Sequence, residues 1–317
     1  METRETDQFE PIPVVLFAYD RPSHLRRTLA SLRENHVPLI YAFSDGPRSL
    51  GRAQAVSEVR EILRGIDWCE VILQFHDRNL GLGQSVLTGV TAVLERHEAV
   101  LVFEDDLVCV PGAYAYLCAA LRNYRDDLRV MSVTGWTHPQ ITPGSVAECP
   151  YFDGRGESWV WGTWRRAWDG MGLDAKTMLD RCRTNRIDVY QYGADLVAMA
   201  AVEARQNIWA VRFLCWQLLS RGLCLRPPWS LVENIGFGPE ATNTRVEQPW
   251  SASGPLQPCP PIPEQWPEPI ENPECRHLHQ LACGGRPTAL GYPLRLARRV
   301  VSRIARLVLS NRSAHFR

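Results

Sequence analysis

An α/β domain, with a sheet flanked by helices on both faces, is the fold that the sequence predicts. Three observations point to it. Short apolar, β-branched runs alternate four times with segments of helical periodicity between residues 13 and 106. The strand-like runs read as continuous apolar stretches, which parallel strands buried on both faces require. Polar residues collect just after those runs, where open parallel sheets bind their ligands.

The elements follow in order. VVLFAYD, residues 14–20, reads as a strand, and RPSHLRRTLASLRENH places Leu25, Leu29 and Leu32 at helical spacing. PLIYAFSDGP is a second strand closed by a Gly-Pro turn, AQAVSEVREILRGI a helix, and EVILQFHD a third strand. After the loop NLGLG, residues 79–83, come the helix SVLTGVTAVLERH and the strand AVLVFEDD. Parallel neighbours need crossover connections, and these helices supply them. From about Tyr114 the pattern changes to a helix, the strand RVMSVTGW, a Pro-interrupted loop and a Trp-dense segment at 159–168. A helix around 193–206 and the helical WAVRFLCWQLLSRG then lead into LCLRPPWSLVENIGFG. Four regions result: an N-terminal extension (1–12), the α/β domain (13–248), a Pro/Gly-rich linker or wrapping segment (249–293) and a basic amphipathic helix (294–317).

The formal net charge is zero, yet every acidic residue lies at or before Glu274, and nine Arg follow from Arg276 to Arg317. The first 275 residues therefore carry about −9 and the remainder +9, which points to a separate partner for the tail. Ten Cys without a CxxC pair suggest a reducing compartment. The polar start METRETDQFEPIP has no apolar leader core, and no run approaches the ~18 apolar residues of a membrane span. A cytoplasmic location is expected, with peripheral contact on the inner face of the membrane open through the tail. On a helical wheel the tail's Leu294, Leu296, Val300, Val301, Ile304, Leu307 and Val308 span an arc of roughly 160°, opposite its Arg residues. Such a helix suits an anionic membrane surface, or it packs on the chain's own body or a second subunit. No aromatic interleaving or recognition motif supports a nucleic-acid partner.

The densest chemical signal is VLVFEDDLVC, where Glu104, Asp105 and Asp106 end an apolar strand. Hard cations such as Mg²⁺ or Mn²⁺ prefer oxygen ligands and share them with water and substrate phosphates. Side-chain alternation predicts Glu104 and Asp106 on one side and Asp105 on the other. In that arrangement Asp106 touches the metal, Glu104 supports its water shell and Asp105 meets sugar or ribose hydroxyls. A solvated strand end with helix-capping duty is the alternative.

PVVLFAYDRPSHLRRTLASL, FSDGP, NLGLG, VLVFEDDLVCVPGAYAYL and VMSVTGW, in this order and spacing, resemble a GT-A glycosyltransferase. The chain is most similar to bacterial sugar transferases related to the N-acetylglucosaminyltransferase I family, over roughly residues 13–245. The resemblance implies a mixed sheet of the nucleotide-diphospho-sugar transferase type, a UDP-sugar as the expected donor, and a glycan or lipid-linked acceptor in surface polysaccharide assembly. It places Arg21 near the uracil or phosphate of the donor and gives Asp45 a hydrogen bond from the base. Helix capping by Asp20 and Arg21, and a plain turn at Asp45, are the competing accounts. Gly81 and Gly83 let the main chain approach phosphates or sugar. VENIGFGPEATNT resembles a loop that folds over the donor, with Asn234 as a polar contact and Gly236 as a hinge. Of the four Trp at 159–168, Trp159 or Trp161 is expected under a sugar ring and the rest in the core.

The family's catalytic base is an Asp just before a Trp, but here QNIWAVRF offers Asn207 and Ile208. Glu203 and Glu157 are the remaining candidates, and the stereochemistry stays open. A sugar nucleotidyltransferase is the first rival, although FAYDRPSH lacks the Gly-rich basic loop of those enzymes. The second is a catalytically inactive relative acting as a glycan-binding or scaffolding subunit.

Overall fold

The computed structural model describes residues 10–206, 208–237 and 256–286. β1 (Val14–Ala18), α1 (Pro22–Glu34), β2 (Leu39–Ser44), α2 (Ala53–Arg64), β3 (Glu70–Phe75), α3 (Leu82–Leu94) and β4 (Ala99–Glu104) follow one another as strict strand–helix alternation. A short β5 (Leu107–Cys109) and α4 (Ala113–Asn123) come next, then β6 (Val130–Thr134), β7 (Tyr151–Asp153) and β8 (Trp161–Trp164). Helices α5 (Arg165–Trp168), α6 (Ala175–Thr184), α7 (Ala194–Ala200), α8 (Glu203–Gln206) and α9 (Trp209–Leu219) lead to β9 (Leu223–Arg226), β10 (Val232–Asn234) and α10 (Glu274–Cys283).

Eight strands form one mixed sheet in the order β3-β2-β1-β4-β8-β6-β9-β7, and β10 pairs antiparallel with β5 beside it. β3, β2, β1 and β4 are mutually parallel. β8, the Trp-dense segment, runs antiparallel between β4 and β6. That insertion is why the sheet is mixed, and no local pattern in WVWGTW announces it.

Alternation along the strands divides the core into two layers. Val14, Leu16, Ile40, Leu101 and Phe103 face α1, α2 and α4, meeting Leu25, Leu29, Leu32, Val59 and Leu117. Val15, Phe17, Tyr41, Val100 and Val102 face α3 and α9, meeting Val86, Val90, Trp209 and Phe213. Each of these leucines, valines and phenylalanines contributes about 1.5–3 kcal/mol on burial, so both layers are needed. Helices α1 and α2 lie on one face and α3 on the other. The direction of winding therefore reverses between β1 and β4, and a crevice opens there beyond the strands' carboxyl ends.

Residues 256–286 lie against the body. Trp266 packs on Tyr116 and Tyr124 with centroids at 5.4 and 6.1 Å, and Phe152 bridges to Glu271. The helix α10, which no periodicity in the Pro/Gly-rich stretch predicts, inserts His279 beneath the sheet. There Nε2 of His279 and Nε of Arg226 each lie 2.7 Å from Asp153 Oδ2. Arg226 is fully buried, and its other nitrogens donate to the carbonyls of Trp136 and Arg155 at 3.2 and 3.1 Å. No described helix is long and apolar enough to cross a membrane. The basic tail at 294–317 lies outside the described residues.

Candidate functional site

The crevice at the β1/β4 reversal is a cavity of about 260 Å³. Its walls include Tyr19, Asp20 and Arg21 after β1, Asp45 and Arg48 after β2, and Glu104, Asp105 and Asp106 after β4. Asn79, Gly81, Leu82 and Ser85 enter from the start of α3, Trp159 from the approach to β8, and Asn234, Gly236 and Phe237 from the end of β10. Most of the residues nominated from sequence thus share one hollow. Four do not. Gly83 is buried in the first turn of α3, and Trp161, Glu157 and Glu203 lie elsewhere.

The acid cluster departs from the alternation expected of it. β4 ends at Glu104 and the chain turns through Asp105 and Asp106, so the two aspartates converge instead of facing opposite ways. Both meet Nη2 of Arg21, with Asp106 Oδ2 at 2.9 Å. Asp105 is further fixed by the Tyr19 N–H on its Oδ2 at 3.0 Å, and its carbonyl accepts from Thr28 Oγ1 at 2.9 Å. Asp106 Oδ1 is buried and has no hydrogen-bond partner. Burial, followed by repulsion from Asp106 and Asp105, pushes Glu104 up to about 8. Burial also raises Asp105, against the opposing pull of Arg21. For Arg21, burial disfavours the charge, but Asp105 and Asp106 outweigh it and hold the guanidinium protonated.

Neither Asp20 nor Arg21 caps α1, which begins with Pro22 and no side-chain cap. Asp20 pairs with Arg52 at 3.1 Å instead. Asp45 does more than make a turn. Its Oδ1 accepts from the N–H groups of Gly46 and Leu80 at 3.2 and 2.9 Å, and its Oδ2 from that of Gly81 at 2.8 Å. Gly81 has φ +79°, which favours glycine at this turn into α3. One carboxylate thereby joins the loops after β2 and β3 into a single rim.

The segment after β10 closes the other side. Ile235 N–H donates to the Asp106 carbonyl at 2.9 Å, His24 Nε2 lies 3.1 Å from the Ile235 carbonyl, and Asn234 Oδ1 accepts from Gly236 N–H at 2.8 Å. Gly236 is pressed onto the ion pair: a Cβ there would fall 1.9 Å from Asp106 Oδ2 and 2.7 Å from Arg21 Nη1. Any side chain at this position would push the Asp106 carboxylate or the Arg21 guanidinium aside. Gly238, the second glycine of that loop, is outside the described residues.

Trp159 stands at the mouth, edge-on to Trp136 at 5.0 Å and to Phe237 at 5.7 Å. Trp161 points into the core, 1% exposed, against Trp209 and Phe213 at 5.0 and 4.9 Å. It is a β8 strand residue facing the α3/α9 layer, whereas Trp159 precedes the strand. Glu203 is taken up structurally: its carboxylate accepts from the Ala175 N–H at the start of α6 at 2.8 Å and from Arg212 Nε at 2.7 Å. Glu157 accepts from the Ser158 N–H at 2.8 Å and lies 3.9 Å from Arg226.

Sequence reasoning passed over Arg48, Ser85 and the aromatic floor. Phe17 and Phe43 stack at 5.3 Å beneath the hollow, and Ser85 Oγ is buried there without a partner. Arg48 follows β2 and was findable by the same carboxyl-end rule that found Asp45. Ser85 carried no signal, being one polar residue on an otherwise ordinary helix face.

No family model matches the chain, and no curated protein matches it. Among solved structures, a mannosyltransferase from Pyrobaculum calidifontis in complex with GDP-Man and Mn²⁺ is similar at 13% identity and a TM-score of 0.37, over 52% of this chain and 48% of that one. An apo-form glycosyltransferase from Streptococcus pneumoniae is similar at 13% identity and a TM-score of 0.29, over 55% and 39%. A protein from Bacillus anthracis described as a glucose-1-phosphate thymidylyltransferase gives 8% identity and a TM-score of 0.32, over 50% and 74%. The chain spans about half the length of the mannosyltransferase it matches.

Proposed function

We propose that the chain is a metal-dependent glycosyltransferase of the GT-A type that takes a nucleotide diphosphate sugar, a UDP-sugar first, and passes the sugar to a glycan or lipid-linked acceptor in bacterial surface polysaccharide assembly. The observation that carries this reading is Asp106 Oδ1, a buried carboxylate oxygen without a hydrogen-bond partner in an acid cluster at the sheet's reversal point. Even with Asp20 paired to Arg52 and Glu104 pushed up to about 8, Asp45, Asp105 and Asp106 outnumber the two guanidinium groups of Arg21 and Arg48 in the cleft. A diphosphate would be repelled by that surplus of negative charge unless a cation entered with it.

The residues fit a hard divalent ion. Among the described residues no three His, Cys, Asp or Glu side chains form a cage. A Mg²⁺ or Mn²⁺ shared with substrate phosphates needs only one or two carboxylates. Asp106 would hold it through Oδ1, with Glu104 beside it. Bound there, the ion supplies neutralisation of the diphosphate as a leaving group.

In this reading Arg21 orients the phosphates, Asp45 and Gly81 hold the rim against the nucleoside, and Asp105 anchors Arg21 and Tyr19. Asn234 and Gly236 keep the closing segment against the acid cluster and exclude water from the activated sugar. Trp159 offers a flat face to a sugar ring at the mouth. With Glu203 committed to α6 and Arg212, the proposed base narrows to Glu157, two residues from Trp159 and 19% exposed. Its proximity to Arg226 also favours a second reading, a donor-binding relative that does not turn over.

A panel of nucleotide sugars with and without Mn²⁺, followed by thermal shift, tests the function. At least one donor should raise the melting temperature in Mn²⁺ only. A flat response across UDP-, GDP- and dTDP-sugars would sink the proposal, and binding without turnover would select the second reading. For the tail, we propose contact with an anionic membrane. Ending the chain at Pro293 should then reduce pelleting with phosphatidylglycerol liposomes, and equal pelleting would discard that role.

A further inference from the structure

We infer that Arg21 is a resident counter-cation that a divalent ion must displace from Asp106, so that the ion and the nucleotide enter the cleft together. This rests on the proposed metal-dependent reading and concerns how that site is regulated.

The same nitrogen, Nη2 of Arg21, contacts Asp105 Oδ1 and Asp106 Oδ2. Arg21 therefore occupies the place between the two aspartates that a metal would otherwise neutralise. The open coordination point, Asp106 Oδ1, belongs to the carboxylate that Arg21 already holds through its other oxygen. An ion arriving alone would meet a like charge on the far side of its own ligand, in a partly dehydrated site where such repulsion is poorly screened.

A diphosphate changes the balance. Guanidinium groups pair with phosphate oxygens as readily as with carboxylates. Arg21 lines the cleft and its side chain is 16% exposed, so it can release Asp106 toward a phosphate. Its contact with Asp105 remains as a pivot, because Asp105 is separately held by the Tyr19 N–H. Gly236 packs on both Arg21 and Asp106, so this exchange also moves the segment that closes the cleft. Coupling of this kind is reciprocal: the nucleotide strengthens ion binding by the factor by which the ion strengthens nucleotide binding.

The test is Mn²⁺ binding by electron paramagnetic resonance, alone and with UDP or GDP, in the full chain. Wild type should bind Mn²⁺ alone weakly and at least tenfold more tightly with the nucleotide that binds. Arg21→Gln should bind Mn²⁺ alone at least tenfold more tightly than wild type, while its nucleotide affinity in saturating Mn²⁺ falls at least tenfold. The two shifts are opposite in direction, whereas simple damage to the cleft weakens both. A folded Arg21→Gln protein that binds Mn²⁺ alone no more tightly than wild type overturns the inference. Should that variant fail to fold, Arg21→Met decides: it keeps the aliphatic stem and removes the charge between the aspartates, and unchanged Mn²⁺ affinity overturns the inference. Failure of wild type to bind Mn²⁺ even with nucleotide, while nucleotide still binds, defeats the metal reading itself and the inference with it.

Discussion

Asp106→Asn should reduce donor affinity in Mn²⁺ by at least 100-fold, which corresponds to about 2.7 kcal/mol, while the protein keeps its fold. The substitution is isosteric, and the remaining carbonyl oxygen can still accept from Arg21 as Oδ2 does at 2.9 Å. What changes is the buried, unpartnered Oδ1. It becomes an amide nitrogen that repels a cation and offers no lone pair to one. The backbone ties are unaffected, since Ile235 N–H bonds the Asp106 carbonyl and not the side chain. Calorimetry of donor binding, with circular dichroism to verify the fold, measures both halves. Unchanged donor affinity in Mn²⁺ would remove Asp106 from the site and with it the charge argument for a diphosphate.

Asp153→Ala should cost about 3–5 kcal/mol of stability, the range for breaking a buried ion pair on one side. Asp153 and Arg226 are both fully buried, and the loss would leave the guanidinium with three carbonyls and the more distant Glu157. His279 would lose its partner too, loosening the tie between α10 and the sheet. The pH dependence follows in sign. Burial works against the Asp153 charge, but His279 and Arg226 overcome it and hold the carboxyl well below the usual carboxylate range. Its stabilisation is therefore fully present above the unfolded pKa near ~3.9 and is lost as pH falls toward the depressed folded value. Urea denaturation should show the wild-type advantage over Asp153→Ala constant from pH 5 to 7 and shrinking below about pH 4. An advantage that is absent at pH 7, or unchanged at pH 2.5, would refute this account of the cluster.

Local patterns carried a great deal of this molecule. Leu25, Leu29 and Leu32 marked α1, the runs at 14–18 and 99–103 marked the paired strands β1 and β4, and the carboxyl-end rule drew Arg21, Asp45 and Glu104–Asp106 toward one place. The same reasoning failed where a residue's partner is remote in sequence. Glu203 looked available beside a helix but is bound to Ala175, 28 residues away. Trp159 and Trp161 are chemically identical neighbours, and only the position of β8 between β4 and β6 sends the second into the core. Asp105 and Asp106 broke the expected alternation because the strand had already ended.

By itself, then, the sequence determined the parallel half of the sheet, the helices that cover it and the presence of concentrated acid at the exit of β4. These follow from hydrophobic period and strand direction, which are short-range properties of the chain. The tertiary structure alone decided that β8 and β9 complete the sheet, that Arg21 rather than a helix end receives Asp105 and Asp106, and that Gly236 lies against that pair. Those outcomes depend on which segments meet across stretches of chain far longer than one element, where the energy is set by burial and by charges that must find partners once water is excluded.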